Sequence, residues 1–153
     1  MLDSWASLYA NHPSLKTAIE FVHIAGLVVS GGCAVAADQF TLRAAPGSAA
    51  SAGPLTLLKS THRLVLAGLG ALTVSGLLLA GADADAFLHS RVFWIKMGLF
   101  ALLLVNGARL VRAETRVERG DLAGWATLRH AAGTSLVLWT LTTLAGAALP
   151  NIG

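Results

Sequence analysis

The run "TAIEFVHIAGLVVSGGCAVAA", residues 17–37, decides what kind of molecule this is. It is long enough for one helix to cross a bilayer, whose hydrocarbon of roughly 30 Å needs about 20 apolar residues. Three further runs pass the same test, at about residues 63–82, 92–110 and 131–149. The whole chain agrees with them. Of its 153 residues, 55% are hydrophobic and only 12% charged, and mean hydropathy is +0.67. A core of this size has no room for so much apolar surface, so lipid is the natural solvent. The expectation is an all-α integral membrane protein, a single four-helix bundle of small-residue contacts and short connections.

The ends and loops follow from the same reading. The opening "MLDSWASLYANHPS" has no basic segment or small-residue cleavage pattern of a signal peptide. It sets Leu2, Trp5, Leu8, Tyr9 and His12 near one helical face, which predicts a short helix at the membrane interface. "TLRAAPGSAASAGPLTLLKST", residues 41–61, reads as a flexible connection rich in Ala, Gly, Ser and Pro. "GADADAFLHSR" reads as a short turn, and "RAETRVERGDLAGWATLR" as a charged extension of the third helix that Gly120 ends.

Net charge is +3. Arg43, Lys59, Arg63, Arg109, Arg112, Arg116, Arg119 and Arg129 all fall in or beside the first and third loops. Lys16 and Arg91 sit on the other side, diluted by Asp3, Asp83 and Asp85. This is the positive-inside asymmetry, which predicts that both termini lie outside the cytoplasm. It accounts for the basic balance without nucleic acid. The single cysteine, Cys33, excludes an intrachain disulfide and a thiolate-only metal cluster.

Ionisable groups inside a membrane are costly, about 2.5–3.5 kcal/mol at mid-helix even on lenient scales, so their positions carry information. They sort into two layers. The outer one holds Glu20 and His23 on the first span, with His89, Arg91 and Lys96 at the start of the third. On the first span, Glu20, His23, Gly26, Ser30 and Cys33 lie near one stripe, with Phe21, Val22 and Val28 off it. The inner layer holds His62 and Arg63, Arg129 and His130, with Asp38 ending the first span and Asn106 and Arg109 closing the third. Histidines on two helices suit axial coordination of a haem, and neighbouring arginines suit its propionates. Two methionines and one thiol supply a cuprous copper site poorly. Plainer roles are also open: His62 and His130 can meet headgroups or water, and Lys96 can snorkel to the surface.

"FVHIAGLVVSGGCAVAADQFTLR" (21–43) and "HSRVFWIKMGLFALLLVNGARL" (89–110) resemble the first and third spans of a group of small four-helix bacterial membrane families. The group includes the membrane domain of copper-resistance D proteins and, distantly, the membrane protoporphyrinogen oxidase. In the oxidase a first-span histidine and a third-span lysine are implicated in haem-dependent activity, and the resemblance places His23 and Lys96 at the matching positions. Arg43 lies five residues after Asp38, a longer spacing than the group's Asp-Leu-Arg.

These readings combine into one expectation and its rivals. The leading one is a bacterial inner-membrane protein that binds b-type haem and handles electrons, in exchange with quinone or a redox partner protein. His23 is then the principal ligand, with His62 and His130 a second candidate pair. Lys96 is a ligand or an anion partner, and Arg63, Arg91 and Arg129 are propionate partners. The rivals are a haem-dependent oxidoreductase with Lys96 as its catalytic residue, a copper-handling or permease-like module, and a non-catalytic assembly subunit. Glycine-rich faces permit a homodimer.

Overall fold

The computed structural model describes residues 2–44 and 52–152, and every element in it is a helix. In chain order these are α1 (Leu2–Asn11), α2 (Pro13–Arg43), α3 (Ala52–Ala82), α4 (Ala84–His89), α5 (Arg91–Glu118) and α6 (Leu122–Ile152). Four of them, α2, α3, α5 and α6, are long and apolar enough to span a bilayer. The protein is an all-α four-helix bundle of membrane-span character.

Local chemistry sets the boundaries. Pro13 opens α2, where its missing N–H costs nothing. Ser90 caps α5, its Oγ accepting the Phe93 amide at 3.2 Å. Gly120 turns the chain from α5 to α6 at φ +82°, in the left-handed region that favours glycine. Asp121 then caps α6 by accepting the Ala123 amide at 2.9 Å.

The helices are longer than the apolar runs. At about 1.5 Å per residue, the 31 residues of α2 span more than 40 Å, so its ends protrude from the hydrocarbon. This corrects the first connection. Residues 41–43 continue α2 and residues 52–61 already belong to α3. Leu and Ala in that stretch propagate a helix more readily than a coil. The remainder of the expected flexible connection, 45–51, lies outside the described residues. The turn "GADADAFLHSR" also gains structure, as the short helix α4.

Around the bundle, α2 packs against both α3 and α6, and α5 packs against α6. Close approach depends on small residues. A Cβ on Gly68 would lie 2.7 Å from Ser30 Cβ, so α2 and α3 meet at backbone distance. Gly31 accommodates the Trp139 ring of α6. One buried cluster, including Leu72, Leu103, Leu138 and Trp139, fills the middle. Another, including Ala37, Leu58, Trp125 and Leu128, fills the basic end. Large apolar side chains cover the outside, among them Phe21 and Leu77, each 69% exposed. In water this would be untenable; in lipid it is the expected surface.

The expected N-terminal helix is present and docked. Trp5 Nε1 donates to the Leu78 carbonyl at 2.9 Å, tying α1 to the C-terminal end of α3. Tyr9 donates its hydroxyl to Glu20 at 3.3 Å. Partial burial, with the Glu20 carboxylate beside it, raises the Tyr9 pKa above the usual phenol value.

Candidate functional site

The polar residues of the spans gather at two levels. At the outer level, α2 brings His23 to α3. Its Nδ1 lies 3.0 Å from Ser75 Oγ, and a Cβ on Gly76 would lie 3.3 Å from His23 Cε1. Ser75 has one hydroxyl proton, and its Oγ is 2.6 Å from the Ala71 carbonyl, so the proton goes there. The Ser75 oxygen therefore accepts from His23. This network assigns the imidazole proton to Nδ1 and leaves the lone pair on Nε2.

Lys96 enters this level from α5. It reaches across to α6, where a Cβ on Gly146 would lie 3.5 Å from its Nζ. Its charge is near enough to act on His23. His23 and Lys96 are thus close enough to influence one another, and each is half-buried. Ion pairs among the described residues join Lys59 to Glu118 and Arg116 to Asp121. Lys96 has no carboxylate in reach among them. Glu20, grouped with His23 by spacing, is exposed and spent on Tyr9. His89 is exposed and donates to the Asp85 carbonyl at 2.7 Å, and Arg91 is exposed at the rim.

At the inner level the structure rearranges the expected set. His62 lines a cavity of about 460 Å³ between α2, α3, α5 and α6. His130 and Arg129 are exposed and line a shallow groove with Leu42 and Thr134. The two histidines thus line separate hollows. Arg63 is exposed. Asp38, placed by its sequence position at the end of a span, is in fact 2% exposed because α2 runs on past it. It shares the cavity wall with His62, and the Ser135 hydroxyl bonds to its carboxyl. The Asp38 Oδ2 atom is buried without a partner. Asn106 Nδ2 donates to the Ala131 carbonyl at 2.9 Å, pinning α5 to α6.

Sequence reasoning missed Ser75 and Ser135, the hydroxyls that hold the two key side chains. A signal existed for the burial of Asp38, though not for Ser135. Ala34, Ala37, Asp38 and Thr41 recur at helical spacing, a small and polar stripe opposite the lipid-facing Phe40. For Ser75 there was none, since isolated serines in spans commonly bond only to their own backbone.

No group of three His, Cys, Asp or Glu side chains among the described residues is placed to hold a free metal ion. No family model matches the chain, nor does any curated protein or solved structure.

Proposed function

We propose that the protein is a bacterial inner-membrane redox component that binds b-type haem at its outer polar level, where His23 Nε2 would hold the iron. The observation that carries this is the bond between His23 Nδ1 and Ser75 Oγ. A ligating histidine generally donates its other ring N–H to a fixed acceptor, which sets the ring's orientation and its basicity. His23 has that arrangement already.

The donor set fits the group. A porphyrin brings four nitrogens of its own, so one imidazole from the protein is enough, whereas a bare copper ion would need the missing cluster of side chains. Gly76 and Gly146 let His23 and Lys96 pack closely against α3 and α6. Lys96, an amine in the membrane without a carboxylate partner among the described residues, suits the carboxylate of a propionate or substrate. The exposed Arg91 near the same end is a second such partner. Bound haem supplies one-electron chemistry. The chain orients the ring through Ser75, holds anionic groups at Lys96 and excludes water with the apolar walls of the bundle. Exchange of electrons with the quinone pool or a partner protein follows from the membrane setting.

The orientation belongs to the same proposal. Basic residues concentrate where α2 and α5 end and α3 and α6 begin, which makes that end cytoplasmic.

Protein purified in detergent, supplied with haem during expression or afterwards, should show a Soret band and a reduced-minus-oxidised difference spectrum. The substitution His23→Ala should abolish both and Lys96→Met should weaken haem retention. A colourless wild-type protein after haem supplementation overturns the proposal, as does a spectrum that His23→Ala leaves unchanged.

A further inference from the structure

We infer that the inner cavity is a binding site for the ring of a membrane quinol, entered sideways from the bilayer between α3 and α5. The first part of the argument is access. Those two helices barely touch, and the cavity lies in the gap between them. At the basic end the gap is closed by the ion pair of Lys59 and Glu118, at 2.6 Å. Leu66 and Leu104 line the cavity yet are 54% and 46% exposed on the lipid-facing surface. Gly107 sits beside them, and a Cβ there would meet nothing within 4 Å. A ligand thus arrives dissolved in hydrocarbon, through a portal lined by Leu66, Leu104 and Gly107.

The second part is chemistry. A buried oxygen with no partner is expensive, and Asp38 Oδ2 is such an atom on the cavity wall. It calls for a donor that the ligand brings. A lipophilic cation would meet the guanidinium of Arg112 at the same cavity, which makes a neutral O–H the better match. The polar groups of the cavity come from three helices: Asp38 from α2, Ser135 from α6 and His62 from α3. Much of the remaining wall is apolar, with Leu69, Leu103 and Trp139. A few polar groups set among apolar walls suit an aromatic ring that carries oxygens. The volume of about 460 Å³ is in the range of small-molecule sites, roughly 300–1,000 Å³. It holds a substituted ring, with the tail left in the portal. Asp38 Oδ2 accepts one quinol O–H, and His62 meets the other oxygen.

The site stands apart from the His23–Lys96 pair and is tested without haem. Decylubiquinol retained by nanodiscs carrying the protein is compared with retention by empty nanodiscs. The wild type should hold about one quinol per chain above the empty-disc level, and so should His23→Ala. Asp38→Asn should weaken retention at least tenfold. Gly107→Leu, which grows into open space and leaves Asp38 in place, should block it while the helical circular dichroism is unchanged. Retention equal to empty discs, or wild-type retention in both Asp38→Asn and Gly107→Leu, overturns the proposal. So does tetraphenylphosphonium displacing the quinol at equal concentration.

Discussion

His23 and Asp38 lie on the same helix, and each is positioned by a serine from a neighbouring one. Those serines give the residue scale its sharpest prediction. In Ser75→Ala the imidazole loses the acceptor for its Nδ1 proton while the helix keeps its shape. Haem affinity should fall about 10–100-fold, the usual effect of removing a partner of a metal-ligating histidine. A titration of the apoprotein with haemin reads it, and unchanged affinity would mean that Ser75 does not orient the ring. Glycines allow a second prediction. Gly68→Leu should destabilise the bundle by about 1–3 kcal/mol through overpacking against Ser30. Gly70→Leu, where a Cβ meets nothing within 4 Å, should not. Thermal unfolding in one detergent compares them. The histidine and lysine of the outer level were legible from sequence because a charge inside an apolar run is rare. The serines were not, because a hydroxyl costs too little in a helix to stand out.

Among the elements, spans were legible and their ends were not. Hydropathy marks where lipid begins, whereas a helix continues until a cap or turn stops it; hence α2 runs to Arg43 and α3 starts at Ala52. That difference moved Asp38 from a span's end to its interior. The turn between α5 and α6 was readable, since Gly120 is a strong stop. Asp121 holds this turn together, accepting from Arg116 at 2.9 Å and from the Ala123 amide. Its pKa is lowered, chiefly by the bond from Arg116. A folded-state carboxyl below its unfolded value contributes stability that is fully present above the unfolded pKa of about 3.9. That contribution disappears as pH falls through the depressed value. The wild type should therefore lose its advantage over Asp121→Ala in unfolding temperature as pH drops from 6 to below about 3; a constant difference would count against the assignment.

On the scale of the whole molecule, the fold class was readable because composition alone forces it. The pairing of helices was not, since greasy helices carry little information about neighbours. The inner cavity escaped notice for that reason: it exists because α3 and α5 stand apart while each packs on another helix. Orientation is testable directly. Alkaline phosphatase fused after residue 153 should be active in a bacterial host, and the same enzyme inserted at Gly120 should be silent; the reverse pattern would invert the topology. The seams of the bundle also bear on its biogenesis. The hairpin of α2 and α3, with α1 latched to it by Trp5, meets the hairpin of α5 and α6 mainly along one line, where Gly31 receives Trp139. Each hairpin leaves the ribosome as a self-contained pair, ready to insert before the other is translated. Two polypeptides severed between Ala82 and Arg91 should accordingly recombine in the membrane and co-purify, with Gly31→Leu driving them apart.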